Sequence, residues 1–431
     1  MVSKLLLLKK SFYNFFIKKR HLQVWGITAV PFKNLNLLFT NSGMNQYVGF
    51  LNEKLTPPAC FKNIVNSQVC VRLGGKLNDL SLVGLDHTHQ TSFTMLGNWS
   101  ISNYFKKTST NLTFSLLNMW KIPLHRLHIT IFDPLRNKFK KPPTNLLDFE
   151  VLLQVVSCLD RFRLNVCGSI HSKPKEDNFW QMGSLGPCGH SAEFFFNVTG
   201  GLRGMLELWN TVFIKFLKKK NAFGFLKNKY VDTGLGLERV LGLYNVTYGY
   251  TRYKLKYSIY RNVSFLRFIG TLSVYLQPNI KNFNYIYRLL YDHINTSLLL
   301  VRSSVSLKNK GRGFMLKKLL GRVVFYSKVL NLKYVCGKDV YMKFMLLTNK
   351  NIVGWRASLR SFNFFYYKQC GIFKKSTPAL SLLSKVKTSA LTKEVIYTYT
   401  TYGTSLKKIR KSLNNLNLKL NWNFFLKISI Y

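Results

Sequence analysis

The sequence predicts an α+β fold, with an antiparallel β-sheet in the first part of the chain and helices in the second. Before about residue 243, short runs of alternating apolar and polar residues are separated by turn residues, which is typical of antiparallel strands. After residue 244, apolar residues recur at helical spacing among many Lys and Arg. We therefore expect a sheet domain at 1–243, a helical domain at 244–415 and a basic tail at 416–431.

The individual elements follow from the same periodicities. A first helix is predicted over residues 9–20. A strand through Val69 and Val71 places Arg72 at a strand end, and residues 91–95 predict the strand that pairs back on it. Further strands are predicted over 125–132, 193–198 and 206–216. Helices are predicted over 253–269, 281–301, 312–330 and 377–388.

The charge of the chain is strongly unbalanced. Against 64 Lys and Arg stand 16 Asp and Glu, which gives a formal net charge of +48. Such a positive field attracts polyanions, and nucleic acid is the leading partner. The abundance of Lys, Asn, Phe, Tyr and Leu is also what a genome rich in A and T encodes, so codon bias accounts for part of this charge.

Cysteine and histidine show no metal-binding spacing. The seven cysteines include no CxxC pair and the eight histidines no HxxxH pair, so we expect neither a zinc site nor a disulfide framework. No apolar run approaches the roughly 18 residues that a membrane span requires. These patterns predict a protein of a reducing compartment that does not engage a membrane.

The beginning of the chain has two interpretations. Residues 1–20 are basic, free of acids and amphipathic, as mitochondrial targeting segments are. A simple surface helix has the same pattern. We expect the mitochondrial matrix as the location, with another organelle or the cytoplasm as alternatives.

The segment from Val231 to Arg239 is the most informative one. It reads Val-Asp-Thr-Gly-Leu-Gly-Leu-Glu-Arg and contains two of the 16 acids. Glycines allow close approach of backbone to a ligand, and an arginine where a helix begins, predicted from Leu235, can hold a phosphate. A plain strand-turn-helix corner is the alternative interpretation of this segment taken alone.

Further motifs in a fixed order extend this segment into a family resemblance. They occupy residues 37–46, 67–80, 95–98, 178–183, 186–189 and 209–210. Together they resemble the catalytic half of the alanyl-tRNA synthetases, which are class II aminoacyl-tRNA synthetases, over about residues 11–405. The resemblance implies a class II catalytic domain at 1–243, a tRNA acceptor-stem domain at 244–415, and activation of alanine by ATP and Mg²⁺ before transfer to tRNA(Ala).

The resemblance also implies roles for individual residues. Arg72, Asp232 and Arg239 would be catalytic. ATP would contact Arg72, Lys76, Phe93, Met95 and Arg239. L-alanine would contact Trp180, Asn210, Asp232 and Gly234. In this scheme Arg72 stabilises the α-phosphate, Arg239 holds the γ-phosphate and Asp232 pairs with the ammonium of alanine. Glu193 has two candidate roles, Mg²⁺ binding and substrate orientation. A surface ion pair or a core aromatic is the plain alternative for each such residue.

Recognition of tRNA is expected from the helical domain. The resemblance implies tRNA contacts by Asn309, Arg312, Lys317, Lys318 and Thr400. Thr400 replaces a family aspartate that reads a G·U pair at the third position of the acceptor stem, so that rule is in doubt for this chain. A solvated basic face is the alternative interpretation of the lysines.

The chain also departs from the family pattern elsewhere. Thr88, Gln90 and Thr94 stand where the family has Arg, His and Glu. The editing and dimerising regions of the family do not fit after about residue 410, so we expect a monomer without an editing domain. The competing hypotheses are a catalytically decayed, tRNA-binding paralogue and a nucleic-acid-binding protein of other ancestry.

Overall fold

The structure is a computed structural model, and it divides into two compact units. It describes residues 4–31, 37–74, 77–133, 149–164, 169–183, 185–198, 204–220, 222–247, 257–260, 265–266, 284–329 and 360–370. Unit 1 comprises Met1–Leu82 and Asp86–Asn262, and unit 2 comprises Val83–Leu85 and Val263–Tyr431. The predicted helix at 377–388, the basic tail, Lys76 and Thr400 lie outside the described residues.

Unit 1 carries the sheet. Its strands are β1 (Leu22–Gln23), β2 (Asn63–Val71), β3 (Leu73–Gly74), β4 (Leu77–Asn78), β5 (Ser92–Ile101), β6 (Leu127–Phe132), β7 (Ile170–Lys173), β8 (Phe179–Gln181), β9 (Gly186–Asn197), β10 (Met205–Lys218) and β11 (Phe223–Gly236). Its helices are α1 (Lys4–Lys18), α2 (Val48–Leu51), α3 (Lys106–Met119), α4 (Phe149–Arg161), α5 (Lys175–Asn178) and α6 (Leu237–Thr247). Every predicted strand is present, and most are longer than their alternation indicated.

Within the described part of the chain, nine strands form one sheet in the order β1-β2-β5-β11-β10-β9-β6-β7, with β8 paired to β9. The central pairs are antiparallel, as predicted, and β5 is the strand that returns along β2. Two pairs at the edges of the sheet depart from this antiparallel pattern. There β1 pairs with β2, and β7 with β6, in parallel, which makes the sheet mixed.

Aromatic side chains fill the core beneath the sheet. Helix α1 buries Leu8, Phe12 and Phe16, and the Phe12 ring lies 6.2 Å from that of Trp209 on β10. The predicted first helix is therefore part of the folded unit, and it begins five residues earlier than its sequence pattern indicated. Burial of such rings is the main source of stability for a sheet of this kind.

The compact unit extends beyond the boundary expected at residue 243. Two tyrosines in residues 257–260 are bonded to the sheet region. The Tyr257 hydroxyl donates to the carbonyl of Arg239 at 3.3 Å, and the Tyr260 hydroxyl donates to that of His89 at 2.8 Å. Unit 1 therefore ends near Asn262. The assignment of catalytic and tRNA-binding roles to the two units stays a prediction.

Unit 2 is helical where it is described. Its helices are α7 (Asn284–Arg302) and α8 (Gly311–Val329), and residues 360–370 are also helical. On α7, Arg288 donates twice to the carbonyl of Gly84, at 3.1 and 2.7 Å. This contact attaches the short segment Val83–Leu85 to unit 2. Across the described residues of both units, no helix is long and apolar enough to cross a bilayer.

The sheet leaves no room for a side chain at Gly189. A Cβ there would lie 1.9 Å from the Phe213 carbonyl oxygen of β10, whereas at Gly224 of β11 the nearest atom is 3.8 Å away. We predict that Gly189→Ala lowers the free energy of unfolding by about 2–3 kcal/mol or more, because backbone atoms must move. Gly224→Ala is the control and should change it by less than about 1 kcal/mol. Urea unfolding of both variants measures the difference, and equal effects would contradict the register of β9 against β10.

Candidate active site

One face of the sheet carries most of the residues singled out in the sequence. Because side chains alternate along a strand, residues two apart share a face. One row of opposed residues consists of Ile64, Trp99, Asp232, Val212 and Ser191. The next row on this face contains Gly234, Asn210, Glu193 and Thr130. Trp180 opposes Gly189, which places it on the same face. Segments far apart in sequence thus meet on one surface.

This face forms the floor of a cavity of about 320 Å³. The size fits a small-molecule site. Ionisable side chains line it, both acidic and basic, namely Arg72, Asp79, His89, Glu193, Glu207, Asp232, Glu238 and Arg239. The other lining residues are Ser42, Thr88, Gln90, Phe93, Met95, Trp180, Leu208, Asn210, Val212, Thr233, Gly234, Gly236 and Ile259.

Asp232 is a buried carboxylate at the centre of this floor. Its residue is 7% exposed, and the Trp99 indole N–H donates to its Oδ1 at 2.6 Å. Burial raises the pKa of this carboxyl to about 7, while the bond from Trp99 acts in the opposite direction. A buried carboxylate that is not neutralised by a cation is suited to receive one from a ligand.

Arg239 lies in the first turn of α6, where it is held by an acid. Its Nη1 donates to both the carbonyl and the carboxylate of Glu207, each at 2.9 Å. The helix begins at Leu237 and not at Leu235, because Leu235 and Gly236 still pair with β5. Arg239 is therefore positioned by β10 as well as by its own helix.

Arg72 follows directly after β2, as predicted. Its guanidinium carbon lies 5.0 Å from the centre of the Phe93 ring, and its Nε donates to the carbonyl of Asn41 at 3.3 Å. Arginine stacks readily on aromatic rings. The face of Phe93 expected to stack on adenine is thus next to the guanidinium expected to bind phosphate. Lys76, the further phosphate contact expected, is outside the described residues.

Asn210 and Glu193 form a polar pair beside Asp232. The Asn210 amide donates to Glu193 Oε1 at 2.6 Å. Burial raises the pKa of Glu193 to about 8, and the negative charges of Glu207 and Asp177 add to this effect. Carboxylates that repel one another in a cavity gain stability when a cation enters. Trp180 packs against an apolar cluster that includes Trp99 and Val212 and lies on this same face of the sheet.

Two glycines of the 231–239 segment make room for neighbouring side chains. A Cβ at Gly234 would lie 3.1 Å from Met95 Sδ, and one at Gly236 would lie 3.3 Å from Arg239 Cδ. The Met95 sulfur also accepts the Gly43 N–H at 3.5 Å. Both glycines therefore admit side chains that line the cavity, in agreement with the close approach that the sequence suggested.

The three departures from the family pattern lie at or next to this cavity. Thr88 and Gln90 line it. The backbone N–H of Thr94 donates to both oxygens of Glu238, at 2.9 and 3.0 Å. Burial raises the pKa of Glu238 to about 7, and the bonds from Thr94 lower it. The substituted positions thus remain integrated into the site.

Comparison with known proteins agrees with this geometry. The family model described as "tRNA synthetases class II (A)" matches residues 7–350. The chain belongs to this family. Curated relatives are the alanine–tRNA ligases of Methylacidiphilum infernorum (32% identical, 75% of this chain, 37% of the relative), Opitutus terrae (33%, 75% and 38%) and the mitochondrial one of Saccharomyces cerevisiae (33%, 74% and 33%). The chain therefore spans little more than a third of the length of these relatives.

Two residues that were not predicted as site residues form hydrogen bonds with Asp232 and Arg239. Trp99, the hydrogen-bond donor to Asp232, follows directly after the motif at 95–98. Glu207, the partner of Arg239, is one of the scarce acids and lies in a predicted strand. Scarcity of acids was the one sequence signal that could have found Glu207. Nothing in the sequence indicated the partner of Asp232, because Trp99 is 133 residues away.

The expected tRNA contacts in the described chain are on or next to α8 of unit 2. Asn309 is exposed, and its Oδ1 accepts from Lys317 Nζ at 3.2 Å. Arg312 lies in the first turn of α8, five and six residues before Lys317 and Lys318. Thr400 lies outside the described residues. Four of the five residues are thus close in the chain, and their role in tRNA binding stays a prediction.

Burial of the Asp232 charge makes folding less favourable, and removing that charge should be stabilising. Its pKa is raised from 3.8 to about 7 on folding. The cost of ionising it in the folded state is therefore complete above pH 7 and disappears as the pH falls towards 4. We predict that Asp232→Asn raises the free energy of unfolding at pH 8 by up to about 4 kcal/mol, since one pKa unit corresponds to about 1.4 kcal/mol.

Chemical denaturation at pH 8, 6 and 4 measures this difference. The control is Asp160→Asn, a substitution of the same type at an exposed position of α4, which should show no such trend. A stabilisation by Asp232→Asn that is equal at all three pH values would contradict a buried, ionised Asp232.

Proposed function

We propose that this chain activates L-alanine with ATP to alanyl-adenylate and transfers the alanine to the 3′ end of tRNA(Ala). The observation that carries the proposal is the sharing of one cavity by the Asp232 carboxylate and the Arg72 and Arg239 guanidiniums. An amino acid brings an ammonium and ATP brings phosphates, so the reaction needs both signs of charge within one site. The family and the alanine–tRNA ligase relatives support this proposal.

The amino-acid end of the site is built around Asp232. Its carboxylate binds the ammonium of alanine, and burial strengthens this interaction because little water competes. Trp180 and Val212 line the same cavity and limit the side chain to a small one, since a rigid indole cannot move aside. The amide of Asn210 donates to Glu193. This bond fixes Asn210, which orients the substrate beside Asp232.

The nucleotide end of the site is built around two arginines. Arg72 contacts the α-phosphate, where negative charge develops as the alanine carboxylate attacks and pyrophosphate leaves. Arg239, kept in place by Glu207, holds the γ-phosphate. Phe93 and Met95 form the apolar surface that receives adenine. The stacking of Arg72 on Phe93 keeps the guanidinium beside the proposed position of the α-phosphate.

Mg²⁺ is expected to enter with ATP. It prefers oxygen ligands and is bound in such sites by one or two carboxylates together with substrate phosphates. The carboxylates of Glu193 and Glu207, which repel one another in the cavity, fit this donor set. When bound, Mg²⁺ neutralises the charge of the transferring phosphates. The described residues contain no group of three or more side chains suited to hold a metal ion by themselves.

The transfer step requires tRNA, and we assign its acceptor stem to unit 2. Asn309, Arg312, Lys317 and Lys318 provide one amide and three cations on or beside α8. Cations that contact phosphates position a nucleic acid without reading its sequence. A location in mitochondria, a monomeric state, the absence of an editing activity and the role of Thr400 stay predictions from the sequence.

Alanine-dependent exchange of pyrophosphate into ATP tests the proposed activity. We expect exchange with alanine in the absence of tRNA. Asp232→Ala should reduce it by at least a hundredfold, because the ammonium loses a buried partner worth roughly 3–5 kcal/mol. Exchange that is absent in the wild-type chain, together with retained tRNA binding, would favour the decayed paralogue. Near-normal exchange in the folded variant would show that Asp232 does not bind the ammonium of alanine.

Arg72→Ala separates transition-state stabilisation from ground-state binding. We expect the kcat of exchange to fall by about 100-fold or more, with a smaller rise in the KM for ATP, because the charge on the α-phosphate is greatest in the transition state. Arg126→Ala is the control, since Arg126 donates to the Val198 carbonyl outside the cavity. An unchanged kcat with only a raised KM would show that Arg72 binds ground-state ATP.

A further inference from the structure

We propose that Trp99 is a positioning residue for alanine recognition, because its indole N–H holds one oxygen of the Asp232 carboxylate and leaves the other oxygen for the ammonium. This inference rests on the proposed function, in which Asp232 binds that ammonium. It assigns a task to a tryptophan that is 1% exposed and does not itself line the cavity.

The register of the sheet creates this contact. Trp99 on β5 lies directly opposite Asp232 on β11, so both side chains leave the same face at neighbouring positions. The indole Nε1 donates to Oδ1 of Asp232 at 2.6 Å, a short bond of the kind that a charged acceptor forms. Among the described residues, Asp232 Oδ2 has no hydrogen-bond partner, and the residue lines the cavity.

Two glycines and a tyrosine hold the indole in place. A Cβ at Gly97 would lie 2.3 Å from Trp99 Cη2, and one at Gly43 would lie 2.8 Å from Trp99 Cζ2. The Tyr47 ring lies 4.9 Å from that of Trp99, and Asn66 Nδ2 donates to the Tyr47 hydroxyl at 3.2 Å. The segment around Gly43 thus forms one wall of the pocket that encloses the Trp99 indole. In this pocket the indole N–H has little freedom to turn away from Asp232.

The hydrogen bond also has an electrostatic consequence. Burial raises the pKa of Asp232 and the bond from Trp99 lowers it, so removing the N–H leaves the carboxyl protonated to a higher pH. A protonated Asp232 cannot pair with the ammonium. The wild type and a variant without the N–H share every other ionisable group of the cavity and the phenol of Tyr47 beside the indole; these cavity groups are Arg72, Asp79, His89, Glu193, Glu207, Glu238 and Arg239. A difference between their pH profiles therefore reports on Asp232.

The matched experiment uses two buried tryptophans on the sheet. Trp99→Phe removes the donor. Trp209→Phe is the control, because Trp209 is equally buried on β10 and its Nε1 has no hydrogen-bond partner in the described part of the chain. Steady-state exchange kinetics are measured for alanine and for ATP from pH 6 to 9, together with thermal unfolding.

For Trp99→Phe we expect the KM for alanine to rise about tenfold or more, as loss of a hydrogen bond to a charged group implies. The KM for ATP should stay within about twofold, as for an interaction confined to the amino acid. The pH at which kcat/KM for alanine is half-maximal should move upwards. Trp209→Phe should change none of these values.

Other outcomes are equally informative. If the wild type exchanges and Trp99→Phe retains the KM for alanine and the pH profile of the wild type, the inference is wrong while the proposed function stands. Equal rises in both KM values would assign Trp99 a merely structural role and overturn it. If Trp99→Phe does not fold, a tryptophan analogue with sulfur in place of the indole N–H can be incorporated at position 99 alone. The analogue keeps the side-chain volume and removes only the donor. The inference again predicts a raised KM for alanine, and an unchanged KM would contradict it.

Discussion

The site depends on the burial of a carboxylate, that of Asp232, in the face of a β-sheet. Taking such a group out of water is unfavourable unless it is paired, and the described residues pair it with one indole N–H and no cation. In the proposed function, the ammonium of alanine supplies the charge partner that this carboxylate lacks. The strands, glycines and aromatic rings around Asp232 and Trp99 hold the carboxylate in this unfavourable buried position.

The charges of the cavity are separated by the architecture. Asp232 lies in a strand, opposite Trp99, whereas Arg239 lies in the helix that follows that strand and is held by Glu207 from β10. An unrestrained arginine would pair with the nearest buried carboxylate and close the site. Because Glu207 forms an ion pair with Arg239, the carboxylate of Asp232 remains accessible from the cavity. Glu207 is therefore as necessary to this arrangement as Asp232.

The sequence predicted five of the strands but not β11, which carries Asp232, and it failed where the pairing of distant strands decides the contact. Alternation located β5, β6, β9 and β10, and the ordered motifs brought Arg72, Trp180, Asn210 and Asp232 to one site. Neither the Trp99–Asp232 bond nor the Arg239–Glu207 pair could be read from local pattern. Both depend on which strands lie side by side, and that is set by packing over more than 30 residues of separation.

The same reason explains the smaller errors. The start of α6 was placed two residues early because Leu235 is apolar and helix-compatible, yet β5 offers its backbone a partner first. The parallel pairing of β6 with β7 could not be predicted, since alternation does not encode strand direction. Tyrosines after α6 belong to unit 1 because their hydroxyl groups bond to it, which no local pattern indicated. In each case a tertiary contact overrode a local pattern.

The most direct test of the central claim compares two stable adenylate analogues in equilibrium binding. One is alanyl-sulfamoyl-adenosine, and the other is its lactyl counterpart, in which a hydroxyl replaces the ammonium. Calorimetry on the wild type should show a preference of about 100-fold or more for the ammonium, as a buried ion pair implies. On Asp232→Asn, both analogues should bind with affinities within about threefold of each other. A preference that persists in Asp232→Asn would contradict the assignment of the buried carboxylate to the ammonium.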